Sequence, residues 1–157
     1  MYRKLTFIAV LLFSYQAFAQ VTYQKPPKEV MDILNAPATP TVLLSPTRER
    51  MALLQGERYP SIADLAEPML KMGGVRFDPG SNGPHLQPRI NAITIKTVAG
   101  GKELKLALPA GVKIGNFVWS PDGKYIAFTN TRPDGIELWF ADAATGALTN
   151  VKAMKVN

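Results

Sequence analysis

The sequence contains no cysteine and only one histidine, His85. Without cysteine the chain cannot form a disulfide scaffold, a cysteine-ligated zinc site, an iron–sulfur cluster or a thiol nucleophile. A single histidine leaves little room for a histidine-rich metal site, and we expect neither a metal nor another cofactor. The basic residues are scattered with no run of five, so the sequence supports neither nucleic-acid binding nor a polybasic membrane patch.

The rest of the composition is that of an ordinary packed domain. The chain has 157 residues, of which 46% are hydrophobic and 9% aromatic, so it is too apolar for a disordered tail. Eighteen basic and twelve acidic residues give a formal net charge of +6. The length allows one domain or a part of a larger one.

Residues 1–19 have the pattern of a cleaved signal peptide. Two basic residues, Arg3 and Lys4, precede an almost uninterrupted apolar run at 5–13, and the Ala-Phe-Ala sequence ending at Ala19 is the small-x-small motif of signal peptidase. The apolar run is about half of the roughly 20 residues that a membrane-spanning helix needs. We therefore predict cleavage after Ala19, a periplasmic or secreted location, and no stable membrane anchor.

Residues 20–40 form a segment that is rich in proline at both ends. Between the prolines, Val30, Ile33 and Leu34 have the i, i+3, i+4 spacing of one helix face. The spacing predicts a short amphipathic helix of about two turns.

From residue 41 onward the pattern changes to short strands, and one segment is repeated. Residues 42–53 (VLLSPTRERMAL) align without a gap with residues 117–128 (FVWSPDGKYIAF), at an offset of 75 residues. Serine, proline and alanine coincide, and the strand positions stay apolar in both copies. Such repetition is typical of folds built from a recurring unit of strands or helices.

The second copy begins an antiparallel meander. In Ser-Pro-Asp-Gly (120–123), proline presets φ at the second turn position and glycine suits the last, as a type I turn prefers. Strand patterns follow at 125–129, 136–141 and 147–151, separated by turns at 132–135 and 144–146. Short strands joined by tight turns predict an antiparallel sheet.

Both faces of this predicted sheet are largely apolar. In residues 136–141 (IELWFA), Ile, Leu and Phe point one way, while Glu, Trp and Ala point the other. In a sandwich sheet with one exposed face, apolar and polar side chains would alternate more strictly along each strand. A sheet packed between two similar sheets would instead be apolar on both faces, as here. The pattern favours an all-β fold, a partial β-propeller of about two four-stranded antiparallel blades.

An insertion at residues 56–89 interrupts the first copy. It contains a helical turn capped by Ser61 and ending near Pro68, and then a Gly/Pro-rich loop at 73–88. Strand patterns resume at 90–98 and 103–108, joined by a Gly-Gly hairpin turn at 100–101. We assign residues 41–108 to blade 1 and residues 112–157 to blade 2.

Two groups of motifs resemble known proteins. WSPDGKYIAF (119–128) and LWFADAATG (138–146) resemble the blade signature of TolB-type propellers. In the insertion, RYPSIADLAEP (58–68) and GVRFDP (74–79) resemble the amino-terminal region of the prolyl oligopeptidase family of serine peptidases, in its glutamyl endopeptidase-like branch. The spacing from these motifs to KIGNFVWSPDG (113–123) fits that branch as well, and the resemblance covers nearly all of residues 22–157.

The resemblance implies a propeller that caps a carboxy-terminal α/β-hydrolase domain and filters the access of peptides to it. In that domain a Ser-Asp-His triad cleaves short peptides through an acyl-enzyme. This sequence has no Gly-x-Ser-x-Gly elbow, because the nearest string, GSNG (80–83), has the wrong spacing and lies in a loop. We therefore assign no catalytic, cofactor-binding or metal-binding residue, and we interpret the chain as a fragment that is itself inactive.

Several polar residues have both a chemical and a structural interpretation, and we favour the structural one for each. His85 lies in a Gly/Pro loop, where the family has no triad residue. Asp122, Asp134 and Asp142 suggest a calcium site, but each adjoins a tight turn in which aspartate bonds its own backbone.

The same choice arises for two tryptophans and one charged pair. Trp119 and Trp139 could stack a sugar or a proline ring, but as strand residues they are expected in the core between blades. Arg76 and Asp78 flank Phe77 and could face a substrate, but we expect a local salt link.

Two classes of function follow from the sequence. The first is the amino-terminal propeller fragment of an exported peptidase of the prolyl oligopeptidase type. The second is a free-standing, non-catalytic TolB-like binding module of the periplasm. The insertion motifs favour the first class.

Overall fold

The chain divides into two units between Ala36 and Pro37. The structure is a computed structural model that describes residues 24–85 and 89–156, so the predicted signal peptide lies outside the described residues. In the first unit, helix α1 (Lys28–Leu34) confirms the helix expected from the apolar spacing. Within the described ranges, no helix combines the length and the apolar character needed to span a bilayer.

The second unit contains two antiparallel meanders of four strands each. Meander 1 consists of β1 (Thr41–Leu44), β2 (Arg50–Gly56), β5 (Ile90–Thr97) and β6 (Glu103–Lys105). Meander 2 consists of β7 (Ile114–Trp119), β8 (Tyr125–Arg132), β9 (Gly135–Asp142) and β10 (Leu148–Lys155). One residue pair, Ile90 with Ile114, joins β5 to β7. The expected all-β fold of antiparallel four-stranded sheets is confirmed.

Some strand ends differ from the expected ones. Strand β6 ends at Lys105 rather than at residue 108. Beyond it the Leu108 amide donates to the carbonyl of Leu106 at 3.0 Å, which is a tight turn rather than a strand pairing. Pro109 follows and has no amide hydrogen with which to continue a ladder.

The insertion contains a second, smaller sheet that the sequence reading missed. After helix α2 (Ile62–Leu65), strands β3 (Leu70–Met72) and β4 (Val75–Phe77) form a hairpin. Assigning all of 73–88 to a loop was therefore wrong. Gly73 and Gly74 have φ values of 56° and 86°, and two consecutive positive φ angles are what a tight type I′ hairpin turn requires.

The internal repeat is visible in the strand register. Strand β1 pairs with β2 so that Leu43 faces Ala52, and β7 pairs with β8 so that Val118 faces Ala127. The two pairs are related by the same 75-residue offset that aligns the sequences. The repeated segments therefore form the same hairpin.

The turns inside these hairpins also match, hydrogen bond by hydrogen bond. The Ser45 amide donates to the Arg50 carbonyl at 2.9 Å, and the Ser120 amide donates to the Tyr125 carbonyl at 2.9 Å. In return, the Arg50 amide donates to the Ser45 hydroxyl at 3.2 Å, and the Tyr125 amide donates to the Ser120 hydroxyl at 2.9 Å. The Gly123 amide donates to the Ser120 carbonyl at 2.9 Å, as the predicted type I turn requires.

The core of this unit lies between the two meanders. Each meander contributes one face, with Ala52 and Ile93 from meander 1 and Ile126 and Phe128 from meander 2 almost fully buried. The other face of each sheet is exposed only in part, since Thr129 and Ile136 on that side of meander 2 are 8% and 7% exposed. We call outer face 1 the set Val42, Leu44, Met51 and Leu53 of meander 1, and outer face 2 the set Val118, Tyr125, Leu138 and Phe140 of meander 2.

Candidate functional site

A cleft of about 490 Å³ opens beside the insertion, and its lining is the best candidate for a functional site. The insertion, the connection that leads into β7 and the β8–β9 turn each supply part of the wall. The charged residues of the lining are Glu67, Asp78, Arg89, Lys113 and Arg132, and the others are Pro68, Pro84, Ala110, Gly111, Ile114, Thr131 and Pro133.

Helix α2 is held in place at one wall by a capping box. The Ser61 hydroxyl accepts from the Asp64 amide, and the Asp64 carboxylate accepts from the Ser61 amide, both at 3.1 Å. This exchange satisfies two backbone donors that a helix start otherwise leaves unpaired. It also aims the Asp64 carboxylate at the start of β5.

There Asp64 and Glu67 meet two cations. Arg89 forms ion pairs with Asp64 and, at 3.5 Å, with Glu67. Lys113 approaches Glu67 at 3.0 Å and Asp64 at 3.8 Å. We call these four residues the charged cluster, and it ties the insertion to both meanders because Arg89 adjoins β5 and Lys113 adjoins β7.

The cluster changes the acidity of Asp64. Hydrogen bonds from the Arg89 guanidinium, and then from Ser61, hold the pKa of Asp64 well below its ordinary value of 3.8. The Asp64 and Arg89 side chains are 14% and 13% exposed, so water reaches both only in part. Asp64 therefore stays charged and paired at any ordinary pH.

A partly buried polar network adjoins the cleft at Lys113. Asn130 is 1% exposed, its Oδ1 accepts from the Lys113 amide at 3.0 Å, and its Nδ2 donates to Glu137 at 3.0 Å. The Trp139 indole donates to the same Glu137 oxygen at 2.9 Å. Each polar group is thereby satisfied, and the network fixes the backbone position of Lys113.

The other wall contains a tight loop built around Asp78. Its carboxylate accepts from the Gly80 amide at 3.1 Å, from the Ser81 amide at 3.2 Å and from the Ser81 hydroxyl at 2.7 Å. Burial raises the pKa of Asp78, but these hydrogen bonds outweigh it and leave the pKa below the usual value. The expected salt link between Arg76 and Asp78 is not among the ion pairs of the described residues, and the Asp78 carboxylate instead accepts from the donors of its own loop.

The serine and histidine of this loop do not form a catalytic pair. Ser81 is 1% exposed, and its hydroxyl donates to Asp78 rather than to an imidazole. The His85 amide donates to the Arg76 carbonyl at 3.0 Å, and its buried Nδ1 has no hydrogen-bond partner within residues 24–85 and 89–156. A serine nucleophile needs an adjacent base and an accessible oxygen, and Ser81 has neither in this arrangement.

The three candidate calcium ligands lie apart in the structure. Asp122 accepts from the Ser120 hydroxyl at 2.6 Å and from the Lys124 amide, and Asp142 accepts from two amides of its own turn at 2.8 Å. Turn chemistry is thus confirmed for these two. Asp134 is bound chiefly by the Lys155 ammonium of β10, at 2.7 Å, and a backbone hydrogen bond of Asp134 adds to this. Over the described parts of the chain, no group of three potential metal ligands occurs.

Both tryptophans lie against the core between the meanders, as expected. Trp139 stacks on Phe128 with ring centroids 6.4 Å apart. The Trp119 indole donates to the Leu43 carbonyl at 3.3 Å and so links meander 2 to meander 1. Their rings are structural parts of the fold.

Sequence reasoning did not find the charged cluster or the polar network. Asp64, Glu67, Arg89 and Lys113 come from separate segments, and nothing in their spacing brings them together. Asn130 was the one position that indicated such a network in the sequence. It is a polar residue on the same strand face as Ile126 and Phe128, which point inward. A polar side chain at such a position needs a buried partner.

The cleft is chemically a binding surface. It presents fixed carboxylates and cations, with the Lys113 side chain 39% exposed and that of Arg132 44% exposed at its rim. Among the described residues of its lining, none forms a nucleophile–base pair. Such a surface can hold a polar ligand or a neighbouring segment.

Comparisons with known proteins place the chain beside plant peptidases. A "Probable glutamyl endopeptidase, chloroplastic" of Oryza sativa subsp. japonica is 30% identical over 139 residues, which is 82% of this chain and 15% of the relative. Its counterpart of the same description in Arabidopsis thaliana is 34% identical over 135 residues, 79% of this chain and 14% of the relative. The resemblance to the glutamyl endopeptidase branch of the prolyl oligopeptidase family is confirmed. The chain spans about one seventh of the length of these relatives.

No protein-family model matches the chain. A crystal structure assigned as a dipeptidyl aminopeptidase IV of Bacteroides ovatus aligns with 69% of this chain and 16% of its own, with a TM-score of 0.44 and 18% identity.

Proposed function

We propose that this chain is the amino-terminal propeller portion of an exported serine peptidase of the prolyl oligopeptidase family, in the glutamyl endopeptidase branch. In this proposal the chain itself has no peptidase activity. It forms part of a propeller that filters the access of peptides to a separate α/β-hydrolase domain. Processing after Ala19 delivers it to the periplasm or the medium.

The observation that carries the proposal is the extent of the similarity. It covers 82% of the chain in one plant relative, which is too much to come from the two meanders alone. The blade signature by itself marks only a fold, whereas the insertion between β2 and β5 is the more specific part of the resemblance. The chain's 15% share of that relative agrees with one portion of a much longer enzyme.

The fold supports a non-catalytic role for this portion. Within the described residues Ser81 is buried against Asp78. The charged cluster joins the insertion to both meanders, so it supports a rigid wall rather than a reacting centre. In a propeller that filters access, rigid walls and loops determine which peptides can pass.

Sequencing the transcript beyond the codon for Asn157 tests the proposal. We expect the same or a shifted frame to encode further Ser-Pro-Asp-Gly blades and then a Gly-x-Ser-x-Gly elbow. A stop codon followed by an unrelated gene contradicts the proposal. That result favours the alternative, a non-catalytic TolB-like binding module, for which the charged cleft is the supporting observation.

A further inference from the structure

We propose that strand β3 of the insertion binds extended peptides by adding them as a further strand at its open edge. Strand β3 (Leu70–Met72) has β4 as its one neighbour among the described residues. The open edge of a sheet presents backbone donors and acceptors, and an extended peptide can pair with them whatever its sequence. This inference deepens the proposed function and rests on it for the class of ligand, since a propeller that filters peptides meets them in extended form.

The register of the hairpin shows which backbone groups of β3 point to the open edge. Lys71 pairs with Arg76, and the Arg76 carbonyl accepts from the His85 amide at 3.0 Å, on the side of β4 that faces away from β3. In an antiparallel sheet, two opposite residues that do not bond each other both direct their amide and carbonyl groups outward. The amide and the carbonyl of Lys71 therefore point away from β4.

The opposite edge of the hairpin already carries an extended segment. Phe77 of β4 forms an antiparallel bridge with Pro84, next to the hydrogen bond from His85 to Arg76. A stretch of chain that contains a proline thus lies beside β4 in the manner of a third strand. The hairpin accepts such a segment on one edge, and the same backbone chemistry is open on the other.

The side chains of the hairpin indicate which peptides fit this edge. Directly opposite residues of an antiparallel pair share a face, so Leu70, Met72 and Val75 lie on one face, where they are 50%, 68% and 60% exposed. A peptide beside β3 places every second side chain on that face. Exposed methionine adapts to apolar groups of different shapes. The edge therefore suits extended peptides with apolar side chains at alternate positions, without selecting one sequence.

The open edge has one end at the cleft. Pro68, two residues before β3, lines the cleft, and so does Asp78, which directly follows β4. A peptide paired along β3 therefore lies beside the mouth of the cleft. In a longer propeller, further blades pack on outer faces 1 and 2 of the meanders, and not on this hairpin. Because β3 has only three residues, we expect the pairing to be weak and reversible.

A proline at position 71 tests the proposal. Lys71→Pro removes the outward amide hydrogen and none of the hairpin's own hydrogen bonds, whereas Lys71→Thr keeps that amide and removes only the charge. The probe is a fluorescently labelled, capped hexapeptide of alternating valine and threonine, which has no charge. By fluorescence anisotropy, we expect the unsubstituted chain and Lys71→Thr to bind it equally. We expect Lys71→Pro to bind it about fivefold more weakly, as the loss of one hydrogen bond implies.

A second proline variant is the matched control. Lys105 lies in β6, another three-residue edge strand, where it pairs with Thr94. The next amide, that of Leu106, donates to the Ile93 carbonyl of β5, so the amide of Lys105 points away from the sheet. Lys105→Pro therefore removes an outward amide at a different edge and should leave binding of the probe unchanged.

Three results overturn the proposal: no binding by the unsubstituted chain, equal binding by Lys71→Pro, or equal binding of a probe in which every peptide nitrogen is methylated. A chain that ignores the peptide but self-associates in a way that Lys71→Pro abolishes also overturns it, since a second copy then occupies the edge. If Lys71→Pro fails to fold by circular dichroism, the Lys71 amide resonance of the unsubstituted chain is followed by NMR. The peptide should shift that resonance, and an unmoved resonance contradicts the proposal. Binding is measured on this chain whatever the transcript encodes, so this proposal and the peptidase proposal can fail separately.

Discussion

Arg48 and Gly123 occupy the same position of the two repeated turns, and both have a left-handed backbone, with φ values of 60° and 67°. Their amides donate to the carbonyls of Ser45 and Ser120, each at 2.9 Å. Glycine adopts this conformation without steric cost, whereas a residue with a Cβ atom does not. The first turn therefore holds an arginine in a conformation that the second turn assigns to glycine.

Replacing Arg48 by glycine should stabilise the sheet unit. We expect Arg48→Gly to raise the free energy of unfolding by about 0.5–1 kcal/mol, because relief of left-handed strain exceeds the entropy that glycine loses on folding. The midpoint of urea unfolding measures the change. Gly123→Ala is the opposing variant and should destabilise, since a Cβ atom there lies 2.9 Å from the Thr47 hydroxyl. A lower midpoint for Arg48→Gly contradicts the prediction.

Two phenylalanines of meander 2 test which face of the sheet is the core. Phe128 is 1% exposed between the meanders, and Phe140 is 38% exposed on outer face 2. We expect Phe128→Ala to cost about 3–5 kcal/mol of unfolding free energy, the usual penalty of a large buried cavity. Phe140→Ala should cost less than about 1.5 kcal/mol, because its ring is only partly removed from water. Thermal melts of the two variants in parallel give the comparison, and the reverse order of stabilities refutes the placement.

The charged cluster predicts how the insertion responds to acid. The pKa of Asp64 is lowered in the folded state, so its contribution to stability is complete above its ordinary pKa of 3.8 and is lost as the pH falls through the lower folded value. We expect the insertion to stay protected from proteolysis down to pH 4 or so and to open only in stronger acid.

Asp64→Asn removes the carboxylate and should expose the insertion already at neutral pH. Limited proteolysis, with cleavage sites within residues 57–85 identified by mass spectrometry, compares the variants. Asp32→Asn on helix α1 is the control, since Asp32 is exposed and pairs only with Lys28 in the described part of the chain. Equal cleavage rates for Asp64→Asn and the unsubstituted protein at pH 7 are incompatible with an anchoring role.

A fluorophosphonate probe should leave the purified chain unlabelled. The one serine that lies in a loop with both an aspartate and a histidine is Ser81, and its buried hydroxyl is bound to Asp78. Labelling followed by gel fluorescence gives the result, with a known serine hydrolase as the positive control. Labelling that disappears in Ser81→Ala, or in any other single serine variant, shows that a nucleophile exists.

Export with processing is a further prediction. The basic start, the short apolar run and the Ala-Phe-Ala motif predict that the mature chain begins at Gln20. Intact-mass measurement on periplasmic or secreted material determines the amino terminus directly. Recovery of the full-length chain in the membrane fraction contradicts this prediction.

The sequence alone determined the local features of the fold. The Ser-Pro turns, the strand alternation and the 75-residue repeat predicted the two hairpins and their register, because turn chemistry and period-two patterns act between near neighbours. The positions of Trp119 and Trp139 and the turn roles of Asp122 and Asp142 followed from the same local rules. The resemblance to the glutamyl endopeptidases also came from motifs that can be read without coordinates.

Only the tertiary structure decided which apolar face became the core. Alternation left both the Trp139 and the Phe140 sets of β9 largely apolar, and in the structure Trp139 and Ala141 pack into the core between the meanders while Phe140 stays 38% exposed. Likewise, Arg89 meets Asp64 only because the insertion folds back on β5, and Asp134 pairs with Lys155 only because β10 returns beside β9. Such contacts join residues that are far apart in the chain, and neither turn chemistry nor periodicity contains information about them.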